Sequence, residues 1–141
     1  MPSPELDNLV AAGHLQQEPP ARSEFDRMVR SGRARLADAH NASLSLDSRF
    51  DLAYNAAHSL SLAALRWHGY RPVNRYIVFQ ALQHTLGLGP AVWRVLDLSH
   101  QRRNRGEYRG DFDPDGRLVV DLIAAVELVE VAVVALPSLP A

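Results

Sequence analysis

Residues 45–69, SLDSRFDLAYNAAHSLSLAALRWHG, form the longest uninterrupted helical pattern in the chain. Ser45 or Asp47 can cap the start of this helix. A glycine after Trp67 or His68 supplies its C-terminal signal. Apolar residues recur at spacings of three and four and make one broad stripe, in which several alanines would let a neighbouring helix approach closely. The segment therefore predicts the central helix of an all-α fold.

Four further helical patterns surround that segment, and proline or glycine separates them. Three of them cover residues 5–12, 23–41 and 75–86, and another runs from Pro90 to about Arg105. Ser23 and Asn74 are placed as N-caps, and Pro90 as a first helical residue. Together with the last helix described below, they predict an antiparallel bundle of four to five helices with short connections.

The last helical pattern covers residues 118–136, preceded by an Asp113-Pro114 start signal. Its many valines leave a pair of buried strands as the alternative, but no turn residue interrupts the run, which favours a helix. Three carboxylates within it would each cost about 2.5 kcal/mol at the centre of a bilayer, so it is not a membrane anchor. Because it is apolar on nearly all sides, we expect both faces to be covered, within the bundle or at a subunit interface.

The length of 141 residues allows one core. We predict a short helix and linker over residues 1–22, a bundle over 23–137 and a tail over 138–141. The N-terminus has acidic residues where a signal peptide needs positive charge, and no apolar segment follows. The sequence therefore predicts a cytoplasmic protein.

The composition excludes several kinds of chemistry. Cysteine is absent, and all 15 basic residues are arginines, so cysteine nucleophiles and catalytic lysines are excluded. The six histidines have no zinc-type spacing. Residues 111–116 resemble the start of a calcium loop, but leucine takes the place of its final glutamate, and helix capping explains the acids. We expect neither a metal nor a cofactor.

Tyr54, Asn55 and His58 form a polar cluster on the central helix. A buried asparagine must find hydrogen-bond partners or cost about 1–3 kcal/mol. The cluster is either a satisfied structural network or the support of a pocket between helices.

The basic segment, residues 100–109 (HQRRNRGEYR), gathers four arginines against one glutamate, while the formal net charge of the whole chain is −1. His100, Arg103, Asn104 and Glu107 share one helix face. Guanidinium groups suit phosphate oxygens, and histidine or tyrosine can exchange protons. A charged, solvated helix end is the alternative interpretation.

Three motifs resemble those of the HEPN domains (higher eukaryotes and prokaryotes nucleotide-binding), which are small helical bundles. They are Ala53-Tyr54-Asn55-Ala56-Ala57, Gly69-Tyr70-Arg71 and Arg103-Asn104-Arg105-Gly106-Glu107-Tyr108, which follow one another as in a bacterial branch of that family. The resemblance covers roughly residues 23–135. It implies a homodimer and a role in toxin–antitoxin systems or beside a nucleotidyltransferase partner.

Many HEPN proteins are metal-independent ribonucleases in which an arginine stabilises the phosphate and a histidine assists the attacking hydroxyl. The resemblance assigns the arginine to Arg103 and its polar neighbour to Asn104. Tyr108 occupies the histidine position, and its ordinary pKa near 10 makes it a poor base at neutral pH.

Three functions follow as hypotheses. The first is RNA or nucleotide binding by four arginines and an asparagine, namely Arg102, Arg103, Asn104, Arg105 and Arg109. The second is a ribonuclease that uses Arg103, Tyr108 and His100. The third is an interaction module without a ligand, with residues 118–136 as its interface.

Overall fold

The computed structural model describes the backbone of residues 3–110 and 113–140, and the side chains of these residues except 106–109. This part of the chain is mostly helical, with one small sheet. The elements in order are α1 (Pro4–Ala11), β1 (Leu15–Gln17), α2 (Arg22–Ala39), α3 (Leu46–Trp67), β2 (Tyr70–Pro72), α4 (Tyr76–Gln80), α5 (Leu82–Thr85), α6 (Pro90–Arg109) and α7 (Gly116–Val134).

The central helix is α3, as the sequence predicts. Ser45 caps it by accepting a hydrogen bond from the Ser48 backbone N–H at 3.1 Å. Its small alanines are fully buried, and α2 and α7 both pack along it. The helix α6 packs against α7 and α4 and also touches α3, so one end of α6 lies beside the polar cluster of α3.

Gly32 of α2 lies directly against α3. A β-carbon built on this glycine would lie 2.6 Å from Leu60 Cγ and 3.4 Å from the Ala56 carbonyl oxygen. Leu60 is fully buried, so its side chain has little room to move.

Gly32→Ala should lower the free energy of unfolding by about 1–3 kcal/mol because the added methyl overpacks the contact with Leu60. Helix propensity acts in the opposite direction, by about 1 kcal/mol. Urea unfolding followed by circular dichroism measures the difference. Leu60→Ala in the same background should restore part of the loss, and an unchanged or more stable Gly32→Ala variant would contradict the close packing.

Two predicted helix starts are wrong. The helix α2 begins at Arg22 rather than after Ser23, and its N-cap residue is Ala21. The N-cap of α7 is Asp115 rather than Asp113, because its carboxylate accepts the Leu118 backbone N–H at 2.7 Å. In both places the sequence offers more than one possible start residue within three positions.

Two predicted helices also differ in extent. The pattern over residues 75–86 forms two short helices, α4 and α5, with a break at Ala81. Asn74 accepts the Ile77 backbone N–H at 3.4 Å just before α4, whose N-cap residue is Arg75. The helix α6 begins at Pro90 as predicted but continues past Gly106 to Arg109, so a single glycine does not end it.

The strands β1 and β2 pair in antiparallel register, with Leu15 opposite Pro72 and Gln17 opposite Tyr70. The prediction of a purely helical fold is thus correct for most of the chain and omits this sheet. Strands of three residues are too short for an alternating pattern to reveal them.

Arg66, near the end of α3, is the largest fully buried side chain among the described residues. Its Nε donates to Glu24 at 2.7 Å, and its Nη atoms donate to the backbone oxygens of Glu18 at 2.9 Å and Pro19 at 2.7 Å. It also donates to the Tyr70 carbonyl oxygen at 3.2 Å. The predicted linker before α2 is therefore fixed to the end of α3.

Arg71 of β2 completes this charge cluster by donating to Glu18 at 2.7 Å and to Glu24 at 2.8 Å. Burial alone would raise the pKa of Glu24, but hydrogen bonds from Arg66 and Arg71 lower it below the usual range. Arg71, the last residue of the Gly69-Tyr70-Arg71 motif, thus binds two carboxylates of its own chain and helps to hold the fold together.

The helix α7 is continuous from Gly116 to Val134, which confirms a helix over most of residues 118–136 and excludes two strands. Within the described residues, one of its faces is exposed. Four apolar residues on that face are between 50% and 68% exposed: Val120, Leu128, Val131 and Val134. Within the described ranges, every helix is too short or too polar to cross a bilayer.

Candidate nucleotide-binding site

A buried hydrogen bond joins Tyr54 of α3 to His100 of α6. The Tyr54 hydroxyl lies 2.6 Å from His100 Nδ1, and the two rings are stacked with their centroids 6.0 Å apart. On the other side of the imidazole, the Asn104 amide nitrogen lies 3.1 Å from His100 Nε2. Asn104 is one turn further along α6, so the i,i+4 spacing produces this contact. Both ring nitrogens of His100 are therefore engaged.

Phe79 of α4 closes the apolar side of this pair. Its ring meets those of Tyr54 and His100 edge-on, with centroids 5.9 and 6.0 Å away. His58 contacts the same Phe79 ring at 6.4 Å. The polar residues of α3 and α6 thus surround the Phe79 ring of α4. The edge-to-face geometry of these contacts is one that aromatic rings favour.

Arg103 lies at the solvent side of this group. The guanidinium carbon is 4.7 Å from the centroid of the Tyr54 ring, a cation–π geometry. Arg103 Nε is 3.8 Å from the Asp51 carboxylate, one turn before Tyr54 on α3. The side chain is 22% exposed, so it is held against Tyr54 and Asp51 while a minor part of it reaches solvent.

Arg75, at the start of α4, is a further member that the sequence analysis missed. It is exposed and lines a cavity of about 260 Å³ together with His58. Its charge acts on Tyr54, His58 and His100 alike. The sequence gives no signal for this position, because Arg75 is far from the basic segment and only the fold brings α4 beside α6.

The titratable groups between the arginines are neutral at pH 7. Burial lowers the pKa of His58 to about 4, and the charges of Arg75 and Arg103 and the nearby His100 act in the same direction. Burial also lowers the pKa of His100, although Asp97 opposes the shift. Burial raises the pKa of Tyr54 against the effect of both arginines. The positive charge of the site therefore comes from arginine.

The remaining predicted site residues fall into three groups. Arg102, Asn104 and Arg105 are exposed on α6. Asn55 donates to the backbone oxygen of Asp51 at 2.8 Å, so the amide finds its hydrogen-bond partner within α3. The side chains of Tyr108 and Arg109 lie outside the described residues.

The polar cluster of α3 fits the structural network in part and the pocket in part. Tyr54 belongs to a satisfied buried network, and Asn55 is half-buried and bonded locally. His58 lines a cavity with Arg75. His100 is only 6% exposed, so it positions Tyr54 and Asn104 and does not face solvent.

Lowering the pH from 6.5 to 4 should destabilise the protein. The folded chain holds the His58 pKa at about 4, whereas an unfolded histidine titrates near 6.5. Between pH 6.5 and 4 the histidine is protonated in the unfolded chain but not in the folded chain, so the free energy of unfolding falls by up to about 2–3 kcal/mol. Above pH 6.5 His58 is neutral in both states and has no effect on the pH dependence of stability.

Urea unfolding at a series of pH values measures this effect. His58→Phe keeps the ring contact with Phe79 and should flatten the profile, whereas His14→Gln, at an exposed position, should leave it unchanged. A wild-type stability that is constant between pH 6.5 and 4.5 would contradict a buried neutral His58.

The described side chains contain no group of three or more histidine, aspartate or glutamate residues arranged to hold a metal ion. The arrangement instead offers a fixed guanidinium beside exposed arginines and an amide, which is suited to binding an anion. Comparisons of this chain with protein-family models, with curated proteins and with solved structures found no match.

Proposed function

We propose that the protein binds RNA or a nucleotide through phosphate contacts at Arg103. The observation that carries this proposal is the placement of the Arg103 guanidinium 4.7 Å over the Tyr54 ring at the solvent edge of the site. A held guanidinium loses less side-chain entropy on binding than a free one. The exposed Arg102, Asn104 and Arg105 extend the surface, and Arg109 follows on the same helix.

The HEPN resemblance supports the same proposal, since its arginine–asparagine motif falls on Arg103 and Asn104. In this interpretation the protein is one component of a toxin–antitoxin or nucleotidyltransferase-associated system. Tyr54 of the alanine-rich motif contacts Arg103, so two of the three quoted motifs meet in one site.

Binding is favoured over cleavage by the state of His100. A general base needs a free nitrogen within reach of the attacking hydroxyl. Both nitrogens of His100 have partners within 3.1 Å, and its ring is buried. Active cutting would thus require another proton acceptor, which the ribonuclease hypothesis assigns to Tyr108.

Equilibrium binding of a fluorescent single-stranded RNA in EDTA tests the proposal. Three phosphate contacts should give a slope of about −2 in a plot of log affinity against log salt concentration. The same incubation shows whether the RNA is cut without metal. Absence of binding to RNA and to nucleotides at low salt would overturn the proposal, and cutting that Arg103→Ala abolishes would replace it with the ribonuclease.

The exposed face of α7 favours self-association as a second property. Four of its apolar residues are at least half exposed in the single chain, the kind of surface that commonly marks a protein interface. We propose a homodimer that buries this face, as the HEPN resemblance also implies.

Val131→Asp should shift the protein from dimer to monomer, because a carboxylate at the most exposed of these residues would be desolvated in the interface. Sedimentation equilibrium measures the shift. Asp38→Asn, an exposed change on α2, is the control. A monomeric wild type at high micromolar concentration would contradict the proposed dimer.

A further inference from the structure

A cavity of about 710 Å³ is enclosed by α2, by α7 and by the segment that follows α7. None of the described residues that line it belongs to the site around Arg103. Its volume is typical of clefts that hold a small organic ligand, which usually combine an apolar wall with a few fixed polar groups. Both features are present here.

The wall of this cavity is mostly apolar. Val133 of α7 is buried, and Phe25 and Val29 of α2 are half-buried against the core. Leu136 and Leu139, which follow α7, add two more half-buried side chains to the wall. A hydrocarbon chain would therefore remove apolar surface from water on several sides at once.

The segment after α7 is fixed to the rest of the protein. Trp67 Nε1, near the end of α3, donates to the Pro137 backbone oxygen at 2.8 Å. The Leu136 backbone N–H donates to the Val133 carbonyl oxygen at 3.1 Å. This part of the wall is therefore held in position without a ligand, so that a ligand need not order it.

The polar lining of the cavity consists mainly of three arginines and two carboxylates, and both carboxylates have a partner. Asp26 lies 3.7 Å from Arg22 Nε on the same helix. Glu130 of α7 accepts a hydrogen bond from Arg33 Nε of α2 at 3.4 Å. The third arginine, Arg30, is exposed and has neither an ion pair nor a hydrogen bond from its side chain among the described residues. One positive charge thus remains unpaired beside an apolar wall.

We propose that this cavity binds an aliphatic carboxylate, with its hydrocarbon chain against the apolar wall and its carboxylate at Arg30. Guanidinium groups form charge-assisted hydrogen bonds with carboxylates, often two in parallel. The single unpaired charge matches a monoanion, and the apolar wall favours an anion with a hydrocarbon chain over a small inorganic one.

The cavity is separate from most of the surface proposed for the dimer. Of the four exposed apolar residues of α7 named above, only Val134 also lines the cavity. Arg30 lies on α2, so the proposed carboxylate position is on a different helix from the exposed face of α7.

Isothermal titration calorimetry with octanoate, 1-octanol and butanoate tests this inference. Octanoate should bind at least about tenfold more tightly than 1-octanol, the value of one charge-assisted contact. It should also bind at least about tenfold more tightly than butanoate, because the longer chain buries more methylene groups.

Arg30→Gln should lower the affinity for octanoate to about that for 1-octanol and leave the affinity for 1-octanol within about twofold, since only the carboxylate uses the guanidinium. Arg27→Gln, at an exposed arginine of α2 that does not line the cavity, is the matched control and should keep the preference for octanoate. Thermal unfolding verifies that both variants fold.

Ala37→Phe tests the position of the hydrocarbon chain. Ala37 is exposed and lines the cavity, so a ring at this position would occupy part of the space. It should weaken octanoate and 1-octanol alike by about tenfold or more.

Three results would each overturn the inference. They are equal wild-type affinities for octanoate and 1-octanol, an Arg30→Gln variant that still prefers octanoate, and no binding of octanoate at millimolar concentration. None of them bears on the proposed RNA or nucleotide binding, which rests on residues of α3 and α6.

Discussion

Arg66→Ala should lower the free energy of unfolding by about 3–5 kcal/mol, the cost of breaking a buried ion pair from one side. The alanine would leave Glu24 without its 2.7 Å partner and would orphan the backbone oxygens of Glu18 and Pro19. These acceptors hold the segment before α2 against the end of α3. Urea unfolding followed by circular dichroism at pH 7 measures the loss.

Arg94→Ala is the matched control, because Arg94 is an exposed arginine whose guanidinium lies over the Trp93 ring. It should cost less than about 1 kcal/mol. Arg66→Lys should recover only part of the loss, since a single ammonium cannot reproduce the planar fork that reaches several acceptors. A stability of Arg66→Ala within 1 kcal/mol of wild type would contradict the structural role of this cluster.

Arg103→Gln should weaken RNA binding about tenfold or more, because it removes a charge-assisted phosphate contact that the fold holds in place. The stability of the protein should fall by about 1–2 kcal/mol, since the change removes the cation–π contact and weakens the pair with Asp51. The expected result is thus a loss of affinity in a folded protein. Fluorescence anisotropy with the RNA in EDTA measures the affinity, and thermal unfolding verifies the fold.

Arg94→Gln separates a specific contact from general electrostatic attraction. Arg94 lies on the same helix, with its guanidinium 5.4 Å from the Trp93 centroid, so it matches Arg103 in charge and in its contact with an aromatic ring but is exposed. It should change the affinity less than about twofold, as expected for a charge outside the site. Equal losses for the two variants would show that RNA follows the overall charge and not the Arg103 site.

The helices are predictable from the sequence because their signals are local. The continuous apolar pattern of α3, with Ser45 before it and Gly69 after it, specifies that helix almost to the residue. The valine-rich α7 is also recovered, since no turn residue interrupts it. The helix break at Ala81 is not recoverable, because no proline or glycine marks it.

The sequence predicts the part of the site that lies on one helix but not the contacts between helices. His100, Arg103 and Asn104 are neighbours on one helix, so their common face follows from spacing alone. The sequence singles out Tyr54 on α3, but the contact of Tyr54 with His100 depends on how two helices pack. Arg75 and the buried Arg66 cluster arise from contacts between residues that are distant in sequence, and periodicity carries no information about such pairs.

The central claim is that RNA or nucleotide phosphate binds at Arg103, and arginine Nε–H signals in a ¹H–¹⁵N spectrum test it directly. All 15 basic residues of the chain are arginines, so this one type of signal reports on every cationic side chain. Addition of single-stranded RNA should shift the signals of Arg102 and Arg103 and leave that of Arg94 in place. Shifts confined to the exposed arginines of α2, or no shift at saturating RNA, would contradict the claim.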